Sequence, residues 1–316
     1  MRHYASCLRA LLAAALLAGL AAPVVAQDDV MEEVELVGDG SGEGMTASDV
    51  IVEASSSLVL PTETADERFR WYGEEFIYNI QILGSDAARA AYQVGYPYEH
   101  EEHGWVTPLH AVATSTGFFG TIYPMNDTAE TLVSPQTGLP LWTLKELDER
   151  GSQRSYEVSY EPDAFRANVI RTRSGREESY YRLGPSDMHD ALSWIVDLRS
   201  RDMSVGSAYV YHIYDGWKLS RLTVRVSEHE PVYTGLGVLD CARLEFTREV
   251  LGSSNPLPFA DDIVTLPPVY YVTDGPIDLG VGWFSLDDRR LPVGVQIESP
   301  LGHLDMILDE WTPPAP

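Results

Sequence analysis

Short apolar runs broken by turn residues cover most of the chain from Phe69 onward. Aromatic and β-branched runs are separated by Gly, Pro or Asp at intervals of about eight to twelve residues, which is typical of antiparallel β-strands. From Phe76 to Ile82 apolar and more polar positions alternate, so one side of this predicted strand is more apolar than the other. Further runs that predict strands are 169–173, 209–214, 222–228, 242–248, 283–286, 293–297 and 304–309. The pattern therefore predicts a mainly β protein.

One amphipathic helix interrupts the predicted strands. Its apolar residues recur at spacings of three and four, which places them on one face of a helix. These residues are Met188, Ala191, Leu192, Ile195 and Leu198. Pro185 precedes the helix, and Ser186 or Asp187 can cap its first N–H groups. We expect a helix over residues 187–199 that packs on a curved antiparallel sheet, with Arg199 satisfying its last carbonyls.

Turn residues divide the strands at two informative places. Asp215 and Gly216 separate a run that ends at Tyr214 from one that begins at Trp217. Since Asp-Gly accepts the positive φ angles of a two-residue turn, this pair predicts a tight hairpin. The proline-rich segment 251–278 is too long for a tight turn, and predicts a loop or a pair of broken edge strands covering one end of the sheet.

The first 26 residues have the three parts of a secretory signal. Arg2 and Arg9 supply positive charge, residues 11–22 are an unbroken apolar run, and residues 23–26 form a small-residue cleavage site. With cleavage near Ala26, we expect a periplasmic or secreted protein. The apolar run is about half the length that spans a bilayer, and no second run of roughly 18 apolar residues follows. No integral membrane segment is therefore expected after cleavage.

Acidic composition marks the next stretch and the chain as a whole. Residues 27–67 contain twelve Asp or Glu and no Lys, Arg or His. Because this bias resists collapse into a core, we expect a disordered leader there and a β-rich exported domain over residues 68–312. The whole chain has a net charge of −26. It repels phosphate backbones, so no nucleic-acid partner is expected.

Two groups of side chains have the ingredients of reactive sites. Cys241 is the only cysteine after the predicted signal, and without a nearby His or Cys it is expected to be a small buried apolar group. His100 and His103 flank Glu101 and Glu102 and are candidate ligands of Zn²⁺ or Cu²⁺ in a loop. Zinc proteases instead place two histidines four residues apart. The alternative to a metal site is a solvated polar loop.

Aromatic residues are the stronger indication of binding. Seven Trp and seventeen Tyr, many on predicted strands, offer apolar bodies with polar tips for acyl chains, sugars or an extended peptide. Core packing is the alternative explanation for most of them. The residues predicted to line a ligand site are Tyr180, Tyr181, Tyr209, Tyr211, Trp217, Tyr270 and Tyr271.

Several motifs in the second half of the chain resemble one bacterial family. Asp187 is followed by Ala-Leu-Ser at 191–193, Gly206 precedes the first hairpin strand, and WFSLDDRRLPV occupies 283–293. Gly302 before a last strand fits the same pattern. Over roughly residues 69–311 the chain resembles the exported family described as domain of unknown function 3108. The resemblance implies an envelope-located β-rich domain, comparable to a partly open β-barrel, and supplies no catalytic residues.

The expected function is binding of a lipid or other amphipathic small molecule between the sheet and the helix, or envelope maintenance. No GxSxG, SxxK, phosphate-loop or dinucleotide motif occurs, so no catalytic residue and no cofactor is predicted. Two alternatives stay open. A hydrolase of envelope glycan or peptide requires two acids, or an acid and a His, converging in a cleft. A structural protein would dock a sheet edge onto an envelope partner.

Overall fold

The structure, a computed structural model, describes residues 71–254, 268–299 and 302–314. The predicted signal and acidic leader lie outside these ranges. Most of the described residues form strands. The strands are β1 (Glu74–Ile82), β2 (Ser85–Val94), β3 (Tyr98–His100), β4 (Gly104–Ser115), β5 (Met125–Val133), β6 (Pro140–Glu149), β7 (Ser152–Glu161), β8 (Arg166–Arg173), β9 (Arg176–Leu183), β10 (Met188–His189), β11 (Ala208–Tyr214), β12 (Leu219–Thr234), β13 (Gly237–Ser254), β14 (Val269–Ser285), β15 (Pro292–Ser299) and β16 (Gly302–Thr312).

The strands form one large open sheet. Its order is β10-β11-β12-β13-β14-β15-β16-β1-β2-β4-β5-β6-β7-β8-β9, and β3 pairs with β4 outside this path. All neighbours in the path are antiparallel except β10 and β11, which are parallel. The predicted alternation in β1 is confirmed, since Phe76, Tyr78, Ile80 and Ile82 are all buried. The mainly β fold class predicted from the sequence is therefore confirmed.

Short helices accompany the sheet. They are α1 (Gly117–Ile122), a 3₁₀ turn (Pro162–Ala164) and α2 (Ser193–Arg199). The predicted helix over 187–199 was too long, because Met188 and His189 pair as a strand with His212 and Ile213. The side chain of Asp190 accepts the backbone N–H of Ser193 at 2.8 Å, so the predicted caps Ser186 and Asp187 lie too early in the chain.

Helix α2 lies against the concave face of the curved sheet. Val196 belongs to an apolar cluster with β1, β2, β4 and β5, whereas Trp194 and Leu198 belong to a second cluster with β11 to β15. A third cluster joins Val158 of β7 to Tyr214 at the end of β11, although these strands lie near opposite ends of the sheet order. The sheet therefore curls around α2, and the predicted packing of helix on sheet is confirmed.

Two predicted connections differ from the structure. The β11–β12 hairpin exists, but Tyr214 pairs with Leu219, so its turn has four residues. Asp215 Oδ1 accepts the backbone N–H groups of Trp217 and Lys218, which stabilises this longer turn. Segment 251–278 is not edge structure where it is described, because β13 and β14 pair through it in the interior of the sheet. Residues 255–267 lie outside the described part.

Cys241 lies in β13 and is buried in the cluster around β1, as predicted for a small apolar group. Burial raises the pKa of its thiol to about 12, so the thiol keeps its proton at neutral pH. None of the helices among the described residues has the length and apolar character needed to cross a membrane.

Candidate functional site

An apolar cavity lies between α2 and the concave face of the sheet. Its volume is about 70 Å³, and the empty space including its solvent-open part is about 720 Å³. The lining comes from α2 and from strands on both sides of the β16–β1 pair. The lining residues are Tyr78, Ala90, Ala91, Tyr92, Trp194, Ile195, Leu222, Phe246, Phe284, Pro292, Gly294, Val295 and Met306. No charged residue belongs to this set.

The alternation of side chains along the strands determines which residues form the wall of the cavity. Tyr78 in β1 lies directly opposite Ala90 in β2, and Tyr92 follows two positions later on the same inner face. On the other side, Gly294 brings β15 close to β16. A Cβ atom at Gly294 would lie 2.3 Å from the carbonyl oxygen of Met306. Only glycine therefore allows this approach of the two backbones.

Helix α2 supplies the opposite wall through Trp194. Its indole Nε1 donates to the carbonyl of Ala191 at 3.0 Å, which fixes the ring. The ring contacts Tyr211 and Phe246 with centroid distances of 5.9 and 6.0 Å. Ile195, also in the lining, is only partly buried. The aromatic side of the cavity is therefore closely packed.

A buried arginine holds α2 in place. Arg199 Nη1 lies 2.6 Å from Glu74 Oε2, and neither side chain is exposed. The same guanidinium donates to the carbonyls of Arg289 and Arg290 at 2.9 and 3.0 Å, and lies 4.1 Å from the ring of Trp71. Arg199 thus connects α2 to β1 and to the β14–β15 turn. The prediction that Arg199 satisfies the last carbonyls of its own helix was wrong.

A second, smaller cavity has charged side chains in its lining. Its volume is about 10 Å³, and it includes Thr143, Lys145 and Asp190 in its lining. Lys145 Nζ donates to the carbonyl of Asp215 at 2.5 Å, so the β11–β12 turn is tied to β6. Burial lowers the pKa of the Lys145 ammonium. This cluster joins the two ends of the curved sheet, and we assign it a structural role.

An acid and a histidine converge at the start of α2. His189 Nδ1 lies 3.0 Å from Ser193 Oγ, which also accepts the backbone N–H of Asp190 at 3.1 Å. All three residues are buried, and burial lowers the pKa of His189. His189 and Ser193 line neither of the two cavities described above. The arrangement orders the chain entering α2.

The predicted ligand residues lie elsewhere on the sheet. Tyr211 packs against Trp194 just behind the cavity wall. Tyr209 and Tyr180 donate to backbone carbonyls of Asp202 and Gly216. The other four predicted residues are Tyr181, Trp217, Tyr270 and Tyr271. None of the seven belongs to the lining, so their role in binding stays a prediction.

The aromatic residues that line the cavity were not predicted from the sequence. Tyr78, Tyr92, Trp194, Phe246 and Phe284 come from four strands and a helix that are distant in sequence. The inward position of Tyr78 was visible in the alternation of β1. Its position opposite α2 depends on the order of strands in the sheet, which no local pattern contains.

The two histidines of the proposed metal loop are close together. The ring centroids of His100 and His103 lie 5.0 Å apart in the β3–β4 hairpin, and partial burial lowers the pKa of His103. Among the described residues, no three His, Cys, Asp or Glu side chains are grouped so that they could hold a metal ion. The metal site at His100 and His103 stays a prediction.

One buried acid is expected to make stability depend on pH. Burial, reinforced by the nearby Glu149 carboxylate, raises the pKa of Asp127 from 3.8 to about 7. Between pH 3.8 and about pH 7 the Asp127 carboxyl of the native state holds a proton that the unfolded chain has lost. This difference makes the free energy of unfolding fall as the pH rises from about 4 to about 7. The Asp127→Asn variant keeps the acceptor for the Asp148 N–H. Its Tm at pH 8 is expected to exceed that of the wild type.

Thermal unfolding between pH 5 and pH 8 measures this difference. Asp86→Asn is the control, because hydrogen bonds from Asn79 and Gln81 lower the pKa of exposed Asp86. Its Tm at pH 8 should not rise above that of the wild type. A wild-type pH dependence unchanged by Asp127→Asn would refute the assignment.

The chain matches known proteins at two levels. No curated protein resembles it closely enough to count as a relative. Among solved structures, it is similar to a β-barrel-like protein of domain of unknown function DUF1849 from Brucella abortus, with 10% identity, 78% of this chain and 99% of that chain covered, and a TM-score of 0.49. A candidate lipoprotein from Parabacteroides distasonis has 12% identity, 76% and 95% coverage, and a TM-score of 0.29.

A third similar structure is a candidate exported protein with a YmcC-like fold from Bacteroides fragilis, with 10% identity, 76% and 96% coverage, and a TM-score of 0.27. At the level of families, residues 77–309 match the model described as protein of unknown function (DUF3108). This match spans most of the chain and confirms the resemblance found in its motifs. The chain therefore belongs to the DUF3108 family of proteins of unknown function.

Proposed function

We propose that this protein binds an apolar or amphipathic small molecule in the cavity between α2 and the concave face of the sheet. The observation that supports the proposal is the cavity itself, which has an aromatic and aliphatic lining without a charged residue. Ligand sites are typically concave, mostly apolar and equipped with few polar groups. The signal predicted at residues 1–26 supports a location of the ligand-binding protein in the periplasm or outside the cell.

The size of the cavity narrows the ligand. A volume of about 70 Å³ is about half that of an apolar cavity that holds one benzene molecule, so a fused-ring molecule does not fit in the enclosed part. A linear alkyl chain is thin enough to enter with its end, and the solvent-open part of the gap can take the remainder. Met306 at the lining is unbranched and adaptable, which helps the wall adjust to a chain.

Filling the cavity tests the proposal. Ala90→Leu places a larger side chain in the lining, whereas Ala167→Leu makes the same change at a buried alanine of β8 that does not line the cavity. Displacing about two methylene groups of ligand at about 0.8 kcal/mol each weakens binding about tenfold or more. We expect this loss for 1-decanol with Ala90→Leu and an unchanged affinity with Ala167→Leu.

Equilibrium dialysis with gas chromatography gives the affinities, and thermal unfolding shows whether both variants fold. Ala167→Leu is expected to cost about 1–3 kcal/mol of stability through overpacking, so the effects on stability and on binding can be separated. Equal loss of binding in both variants, or no binding of 1-decanol by the wild type, would refute the proposal. If the proposal holds, native mass spectrometry of the protein purified from its own cell envelope should show a bound mass that identifies the natural ligand.

A further inference from the structure

The hydroxyl of Tyr92 is the exceptional polar atom of the apolar cavity. Tyr92 lies in β2 with a side chain that is 6% exposed. Its hydroxyl oxygen is inaccessible to solvent and has no hydrogen-bond partner among residues 71–254, 268–299 and 302–314. A buried hydroxyl without a partner costs about 1–3 kcal/mol, so native proteins rarely retain one without a reason.

The other polar side chains of the lining are satisfied within the protein. Tyr78 donates its hydroxyl to the carbonyl of Pro292 at 2.8 Å, and Trp194 donates its indole N–H to Ala191. Tyr78 and Tyr92 thus lie on neighbouring strands in one wall of the cavity. Both carry a phenol hydroxyl, but only that of Tyr78 has a hydrogen-bond partner among the described residues. This difference singles out Tyr92. Because solvent does not reach its hydroxyl in the empty cavity, an occupant must displace the neighbouring wall to form a hydrogen bond with it.

The surroundings of Tyr92 determine the charge of that occupant. Arg199 is the cation that acts on the Tyr92 hydroxyl electrostatically, but its guanidinium is already paired with Glu74 and with two backbone carbonyls. The Asp190 and Glu74 carboxylates also act on this hydroxyl and disfavour a second negative charge beside it. No residue of the lining carries a charge. An ionised carboxylate would therefore lose its hydration without gaining a counter-ion, which is strongly unfavourable. A neutral oxygen has no such cost.

Resting on the proposed function, we infer that Tyr92 determines specificity by hydrogen bonding to its ligand, and that the ligand is a linear alkyl chain bearing a neutral oxygen, such as an alcohol or an ester. The alkyl chain occupies the apolar lining, and its oxygen lies at the Tyr92 hydroxyl. The phenol can donate to a carbonyl, or both donate to and accept from an alcohol. Neutral single-chain lipids present this chemistry.

The test compares 1-decanol with 1-fluorodecane, a ligand of similar shape that is a poor hydrogen-bond partner. One neutral hydrogen bond corresponds to a preference of about three- to tenfold for the alcohol. We expect this preference in the wild type and in Tyr160→Phe, a change at a buried tyrosine of β7 outside the lining of the apolar cavity, and its disappearance in Tyr92→Phe. Decanoate should bind more weakly than 1-decanol to all three proteins at pH 8. Equilibrium dialysis of the purified protein measures each affinity.

The outcomes separate this inference from the proposed function. Equal affinity of the wild type for both neutral ligands, or a preference that persists in Tyr92→Phe, refutes the role of Tyr92 and leaves the cavity as a binding site. Tighter binding of decanoate refutes the neutral class of ligand. Failure of the wild type to bind any of the three refutes the proposed function, and the inference falls with it.

A stability measurement gives an independent check. Tyr78→Phe breaks the bond to Pro292 and is expected to lower Tm, by about 2–4 °C for a domain of this size. Tyr92→Phe removes a hydroxyl that has no hydrogen-bond partner in the described part of the chain, so the Tm of the ligand-free protein should stay the same or rise. A fall of Tm in Tyr92→Phe equal to that in Tyr78→Phe would contradict the assignment.

Discussion

Arg199→Met is expected to lower the free energy of unfolding by about 3–5 kcal/mol. The substitution leaves the Glu74 carboxylate buried without its cation and removes both hydrogen bonds to the β14–β15 turn. Urea denaturation measures the loss. Arg89→Met is the matched control, because Arg89 is 52% exposed and pairs with Asp309 and Glu310 at the surface, where such bridges contribute about 1 kcal/mol or less.

The reason for the loss can be tested with a second change. In the double variant Glu74→Gln with Arg199→Met, no buried charge is left without a partner. It is therefore expected to be more stable than Arg199→Met alone. If the double variant is equally unstable, the cost lies in lost packing on Trp71 and Phe76, over which the guanidinium is stacked, and the electrostatic explanation is wrong.

Trp194→Ala is expected to cost about 3–5 kcal/mol, since it removes the side chain through which α2 contacts Tyr211 and Phe246. Trp217→Ala is the control. Trp217 is 48% exposed in the β11–β12 turn and its main contact is with Arg171, whose guanidinium lies 4.4 Å from its ring, a contact worth about 1 kcal/mol or less. Urea denaturation of both variants should therefore rank them clearly. Similar losses would show that α2 contributes little to the core.

The strands could be predicted from the sequence because their evidence is local. The alternation in β1 and the apolar runs in β12 and β16 each lie within a few residues, and each is a strand in the structure. The start of α2 could not be placed, because pairing of Met188 and His189 with β11 overrides the helical spacing. Only the fold brings these two strands together, so the tertiary contact decided the local structure.

The sequence predicted packing of helix on sheet, and a cavity lies between them, but its lining residues could not be predicted. Ligand binding there stays a prediction. The wall of the cavity needs Gly294, which looked like an ordinary strand residue, and Tyr92, which lies in a weakly apolar, alanine-rich strand. Arg199 was misassigned because its partner Glu74 is 125 positions earlier in the chain. Long-range partners of this kind follow from the strand order, which the sequence patterns did not contain.

The pairing of β1 with β16 has a consequence for how the domain is made. These two strands stand next to each other within the sheet, and their register joins Glu75 to Thr312 and Ile82 to Leu304. Closing a loop of more than two hundred residues costs chain entropy, and proteins rich in such distant pairings fold slowly. The middle of the sheet can form only when residues 302–312 are available to pair with β1. The domain therefore cannot complete its core before β16 has been synthesised.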